Sequence, residues 1–405
     1  MTLDELLHEL AEKNGSDLHL KTGRPPLFRI SGDLIASPYA PLSRQDMENL
    51  VFGIMQTSQK QRFEEDLELD FSYQVDGLAR FRVNAFIQRS EIGAVLRLIP
   101  ADVPTVDGMG LPQVLKDLAA WKDGLVIVTG PTGSGKSTTL AAMIEHINNT
   151  RPVHVITIED PIEFVYADKL ATINQRELGL DTKELRLALR AALRQDPDVI
   201  LMGEMRDAAT IAFAITAAET GHLVFSTLHT NDAKQTLDRI LDTFSGEQAN
   251  QIKMQIALML RGVVSQRLLK RADGTGRVAA VEILINSPNV KQIIEEGNTR
   301  DIEKAMATAG SYYQMKTFNQ SLLDLVKSGL VTEDEALGAS STPDDLRLGL
   351  RGVSKGSSSG EFDLDFAAQE EKKGAKRGPK KDTKPAKPAP PPDKKDGGFS
   401  RGFEF

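Results

Sequence analysis

The 405-residue chain contains no cysteine. That excludes disulfides, thiolate metal sites and cysteine nucleophiles, and it suits a reducing cytosol. No run of about 18 consecutive apolar residues occurs, so no segment is expected to span a membrane. The opening residues Met1-Thr2-Leu3-Asp4-Glu5 are acidic and lack an apolar core, so no signal peptide is expected. A basic excess is also missing. The net charge of -8 speaks against a general nucleic-acid binder. What remains is a chain long enough for two or three units, with 40% hydrophobic residues to fill their cores.

Among what is present, Gly130-Pro131-Thr132-Gly133-Ser134-Gly135-Lys136-Ser137 stands out. It fills the pattern G-x-x-x-x-G-K-[ST] at every fixed position. Leu125–Val128 before it is a short, apolar, strand-like run, and Thr138–Ile147 after it reads as an amphipathic helix. A strand, a glycine-rich turn and a helix start form a phosphate-binding loop. The glycines let backbone N–H groups crowd around phosphate oxygens, and the helix N-terminus adds positive potential. In such a loop Lys136 reaches the β- and γ-phosphates and the Ser137 hydroxyl binds Mg²⁺. A nucleotide with Mg²⁺ is the expected ligand.

Hydrophobic periodicity divides the rest. Residues 1–98 combine an amphipathic helix (Leu3, Leu6, Leu7, Leu10) with alternating strands, which predicts an α+β unit with an antiparallel sheet. Residues 99–112 include three prolines and two glycines and read as a hinge. Over 113–289 apolar runs at Val153–Ile158, Val199–Met202 and Leu223–Ser226 alternate with helical patterns, the signature of a mostly parallel sheet covered by helices. Gln251–Leu269 reads as an amphipathic helix and Val278–Leu284 as a strand. A helical region is expected over 290–348. Residues 354–405 are Lys- and Pro-rich and are expected to be disordered.

Four further segments bear on nucleotide chemistry. Asp198–Asp207 is an apolar strand running into Gly203-Glu204, where a carboxylate suits Mg²⁺, although a plain solvated strand end has the same pattern. Val155–Phe164 also ends in acids. Either Glu159 or Glu163 is placed to deprotonate water, or Glu159 and Asp160 merely cap a turn opened by Pro161. His222 and His229 bracket the strand Leu223–Leu228 and are open to reading as structural histidines, a metal pair or sensors of the nucleotide. Finally, alternation puts Arg80 and Arg82 on one strand face, with Arg89 and Arg97 nearby. They form either a solvated face or a set of arginines offered to a neighbour's γ-phosphate.

Taken together, these segments resemble the secretion ATPases of type IV pili and type II secretion, most closely the PilT/PilU retraction ATPases, over about residues 1–345. Gly130–Leu140 resembles the family's Walker A, Thr157–Phe164 its Asp box, Gly203–Asp207 its Walker B, and Thr220–His222 with Ser226–Thr230 its His box. Ser16–Leu20 and Arg80–Asn84 are similar to its PAS-like N-terminal domain. The resemblance implies an α/β fold, a RecA-like P-loop ATPase domain preceded by a smaller PAS-like α+β domain. It implies a phosphate site formed by Gly130–Thr138, Glu163 as general base, Glu204 acting on Mg²⁺, and His222 and His229 as sensors. Arg82 and Arg97 are implied to reach the ATP of the next subunit. It further implies a homohexamer, cytoplasmic and peripheral at the inner membrane, whose partner is the pilus platform protein and possibly a paralogous pilus ATPase. Two departures stand out. Asn289-Val290-Lys291-Gln292-Ile293-Ile294-Glu295-Glu296 keeps the frame of the retraction helix but lacks its arginines, which moves the chain toward PilU. The cysteine-free chain also lacks the tetracysteine zinc module usual in extension and type II secretion ATPases.

Overall fold

The computed structural model describes residues 1–99 and 102–352. The tail expected over 354–405 lies outside the described residues, as do Pro100 and Ala101 of the expected hinge.

Residues 1–99 form a six-stranded antiparallel sheet in the order β3-β2-β1-β6-β5-β4. The strands are β1 (Asp17–Lys21), β2 (Leu27–Ile30), β3 (Asp33–Ala36), β4 (Glu68–Val75), β5 (Ala79–Gln88) and β6 (Glu91–Ile99). Period-two alternation turns Phe81, Val83 and Ala85 of β5 inward, against Leu6, Leu7 and Leu10 of the helix Leu3–Glu12. Arg80 and Arg82 therefore share the other face, as the alternation predicts. The strand β3, exposed along its whole length, was not apparent in the apolar pattern.

The second sheet has seven strands in the order β13-β12-β7-β11-β10-β8-β9. They are β7 (Gly124–Thr129), β8 (His154–Glu159), β9 (Thr172–Glu177), β10 (Val199–Met202), β11 (Leu223–Leu228), β12 (Leu260–Lys270) and β13 (Arg277–Ile285). All neighbours run parallel except β12 and β13. Every residue of β7 and β11 is buried, because helices cover both faces. Leu125 and Ile127 face one core, and Val126 and Val128 the other. The chain is thus α/β, with a mostly parallel sheet and a smaller α+β part before it. A smaller apolar cluster, including Leu269, Ala280, Phe318, Leu322 and Leu346, seats the last helices on β12 and β13.

Two elements differ from the sequence expectation. The helix expected over Gln251–Leu269 stops at Met259, and β12 begins at Leu260. Val263 and Val264 favour extended backbone, and Gly262 allows β13 to come close: a Cβ there would stand 2.9 Å from the Leu284 carbonyl oxygen. The edge strand β9, Thr-Ile-Asn-Gln-Arg-Glu, is too polar to register as an apolar run.

Glu282 on β13 is a buried carboxyl whose Oε1 accepts the Ala233 backbone N–H at 2.7 Å. Burial, reinforced by Asp232 and Glu303 against the pull of that N–H, pushes it up to about 7. A carboxyl raised on folding stabilises fully below its unfolded value of 4.5, and that contribution is lost as pH rises through about 7. Denaturant titrations of wild type and Glu282→Gln at pH 5 and pH 8 are expected to show a stability difference that shifts by up to about 3 kcal/mol. A difference that does not change with pH would show that Glu282 is ionised in the fold throughout.

Candidate functional site: a phosphate-loop cleft

Four sequence segments converge because four parallel strands end at one sheet edge. The loop 130–135 follows β7, and Glu163 follows β8. Gly203-Glu204 follows β10, and His229 follows β11. In a parallel sheet, the C-terminal edge is where loops gather around a ligand. The cleft there measures about 840 Å³, a size suited to a small organic ligand. Its lining includes Thr132, Gly133, Gly135, Lys136, Ser137, Thr138, Glu163, Glu204 and His229.

The loop's backbone requires glycine. Gly130 has φ +145°, and a Cβ there would lie 2.4 Å from the Gln266 carbonyl oxygen and 2.5 Å from Ser134 Oγ. Gly135 at φ +89° starts the helix Lys136–Thr150. Gln266 of β12 fastens the loop from below, its Nε2 donating to the Ser134 carbonyl at 2.6 Å. Gln266 carries no signal in the sequence, where it stands between the equally polar Ser265 and Arg267.

Lys136 is buried, and burial pulls its ammonium below the usual lysine range against the opposing pull of Glu204 and Glu163. Nζ donates to the carbonyls of Gly130 (3.0 Å) and Pro131 (3.2 Å) and lies 3.4 Å from His229 Nδ1. His229 Nε2 is 3.3 Å from Glu204 Oε1, and Glu204 Oε2 accepts from Arg206 Nε at 2.8 Å. An ammonium only donates, so Nδ1 is the accepting nitrogen and Nε2–H faces Glu204. Walker A, Walker B and one histidine thus form a continuous polar chain. The Thr227 hydroxyl donates to the Gly203 carbonyl at 2.6 Å and steadies the Walker B turn.

The two acids of the Asp box differ. Burial raises the Glu159 carboxyl, whose Oε1 accepts from Thr157 Oγ1 (2.7 Å) and Gln175 Nε2 (3.2 Å). Glu163 is exposed in the cleft, and no hydrogen bond engages its carboxylate among the described residues. Ser137 and Glu204 supply a hydroxyl and a carboxylate, hard oxygen donors that fit Mg²⁺. Oxygens of a bound phosphate complete such a set.

Two placements depart from the sequence expectations. His222 precedes β11 at the opposite sheet edge, its Nδ1 2.9 Å from the Ala217 carbonyl oxygen and 3.1 Å from Thr220 Oγ1. It does not line the cleft, and the length of β11 separates it from His229, so the two cannot share a metal. Arg82 and Arg97, expected at the ATP of the next subunit, line the cleft of their own chain. Asp17, which sequence reading overlooked, holds Arg97 Nε at 2.8 Å, and Asp70 lies 3.6 Å from Arg82.

The type II/IV secretion system protein family matches residues 1–338. The chain belongs to that family. It is 47% identical over 346 residues to the type IV pilus retraction ATPase PilT of Pseudomonas aeruginosa, covering 85% of this chain and 100% of that protein. To the type IV pilus ATPase PilU of the same organism it is 40% identical over 351 residues, covering 87% and 92%. A crystal structure of the pilus retraction motor PilT with bound ADP superposes with a TM-score of 0.80 at 45% identity, covering 86% of this chain and 99% of that one. Family membership and the phosphate loop together make this secretion-family protein a P-loop ATP hydrolase. Among the described residues no helix is long and apolar enough to cross a membrane.

Gly130→Ala tests the loop geometry. The strained φ and the backbone clash are expected to cost about 1–3 kcal/mol of stability and to abolish nucleotide binding. Thermal melts and fluorescent-nucleotide titration measure the two effects; unchanged binding would mean that the loop backbone does not cradle phosphate.

Proposed function

We propose that this chain is a hexameric ATPase motor of a type IV pilus machine, coupling Mg-ATP hydrolysis to pilus retraction. The observation that carries the reading is the convergence of Lys136, Glu204, His229, Glu163, Arg82 and Arg97 on one cleft, in a chain 47% identical to a pilus retraction ATPase. Glu163, exposed and unengaged, takes the proton of the attacking water. Glu159, buried and tied to Thr157 and Gln175, holds the loop instead. Lys136 leaves its carbonyl partners for the β- and γ-phosphates, while the N–H groups of Gly133–Thr138 cradle them. Arg82 and Arg97 stabilise the charge on the transferred phosphoryl group from within the same chain. His229 links Lys136 to Glu204 and so senses the state of the phosphates, whereas His222 lies away from the cleft beside Ala217 and Thr220. Ser137 and Glu204 hold Mg²⁺, which neutralises phosphate charge when bound.

The ring works at the cytoplasmic face of the inner membrane, against the pilus platform protein. A PilU-like accessory role beside a paralogous ATPase is the second reading. It is favoured by the helix Pro288–Glu296, which lacks the retraction helix's arginines and in which Lys291 pairs with Glu295 at 3.8 Å.

Two measurements test the function. Glu163→Gln is expected to keep ATP binding and lose turnover by roughly 10²–10⁴-fold, whereas Lys136→Ala weakens both. Normal turnover by the Glu163 variant would transfer the base role to another acid. In cells, removal of this chain is expected to leave excess surface pili. Restoring it as the sole retraction ATPase separates a motor, which retracts pili, from an accessory protein, which does not.

A further inference from the structure

Glu177 is the last residue of β9 and is 2% exposed. A carboxylate so far from water is tolerated only where donors meet its oxygens. Oε1 accepts from Ser72 Oγ at 2.6 Å, and Oε2 accepts from Arg80 Nη2 at 2.7 Å and from the Ile162 backbone N–H at 3.1 Å. Arg80 Nη2 also donates to Ser72 Oγ at 2.6 Å. Ser72 and Arg80 belong to β4 and β5 of the N-terminal sheet, while Ile162 is the residue before Glu163. A single buried anion therefore joins the first sheet to the loop that carries the proposed base. The strand it grips also carries Arg82, two residues beyond Arg80 and on the same face. Ser72 pairs with Arg82 in the β4–β5 ladder. None of Ser72, Arg80 and Glu177 lines the cleft.

We infer that the Glu177 carboxylate, gripped by Ser72 and Arg80, is a catch between the N-terminal sheet and the Asp-box loop that positions Arg82 and Glu163 together in the cleft for ATP hydrolysis. The inference rests on reading that cleft as the ATP site. Ser72, Arg80 and Glu177 are positioning residues. Charge-assisted hydrogen bonds give the catch directional strength, and the loop shifts with it because Ile162 N–H is bound to the same oxygen as Arg80.

Arg80→Gln in the full chain tests this. Its kcat is expected to fall by roughly tenfold to a hundredfold, while the dissociation constant for a non-hydrolysable ATP analogue changes by less than about threefold. Because the chain has no cysteine of its own, cysteines introduced at the exposed Gln45 and Glu247 carry a spin-label pair without background. With labelled protein diluted into unlabelled protein, the wild-type distance distribution with analogue should be narrow, and that of Arg80→Gln broad. Ser72→Ala removes one hydroxyl from a half-buried position and should show a smaller change of the same kind. It keeps the test open if Arg80→Gln melts early by circular dichroism. A narrow distribution in the variants, or turnover unaffected by broadening, overturns the catch. Glu163→Gln run in parallel separates the two claims. If that variant keeps full turnover the reading of the site fails, while the distance measurement still judges the catch.

Discussion

An ammonium held out of water must be surrounded by oxygen and nitrogen acceptors, and much of the cleft follows from meeting that demand at Lys136. The desolvation that lowers its affinity for a proton is offset by two loop carbonyls, the His229 ring and the carboxylates of Glu204 and Glu163. The carbonyls come close only because Gly130 adopts a backbone conformation that a side chain would forbid. The histidine and the acids arrive only because β11, β10 and β8 are parallel to β7 and end at the same edge. Phosphate oxygens satisfy the same ammonium better than carbonyls do. The lysine's present partners are weak enough to be exchanged, and the surrounding acids keep it charged while the exchange occurs.

The parts of this arrangement that were legible in the sequence are local. A strand, a glycine-rich turn and a helix start occupy consecutive residues, so pattern alone found the loop at 130–137. Apolar runs ending in acids found β8 and β10, and strand alternation correctly separated Arg80 and Arg82 from Phe81 and Val83. What escaped depends on partners distant in sequence. The strand β9 is polar because it is an edge, and its importance lies in contacts to residues about a hundred positions earlier. The strand β12 reads as a helix in the sequence because both of its faces are buried, which erases the period-two signal. Spacing put both histidines at strand ends but could not say that only one of those ends faces the phosphate loop. Likewise, arginines on β5 and β6 were legible as a set, but whether they serve their own chain or a neighbour depends on how the two sheets meet.

That meeting is economical in charge. The N-terminal sheet presents Arg80, Arg82 and Arg97, and each has a different acid. Asp17 is buried and engages Arg97, Asp70 is exposed and stands off from Arg82, and Glu177 belongs to the other sheet and engages Arg80. Only the Glu177 pair crosses between the sheets. The Arg82 pair, long and half-exposed, is worth at most a fraction of a kcal/mol, so Arg82 is free to turn to a phosphate. Arg97 keeps its Nε on Asp17 and has its other guanidinium nitrogens left to offer. Anchoring and phosphate-facing arginines thus sit on the same sheet but are sorted by the acid each one meets.

Such sorting constrains how strong the joint between the sheets can be. A carboxylate fully out of water with one donor removed leaves an uncompensated charge, and breaking such a pair costs about 3–5 kcal/mol. Replacing that penalty by hydration, as happens if the sheets part and water enters, leaves only the net value of the bonds, about 1.5–3 kcal/mol for one to a charged group. A joint built from Glu177, Arg80 and Ser72 is therefore stiff against a small misalignment, which strands the charge without wetting it, and weak against full opening, which wets it. On the proposed motor reading, that asymmetry is what a nucleotide-driven cleft requires. It holds the aligned arrangement sharply yet adds little free energy against full opening, so that nucleotide binding and release decide when the sheets part.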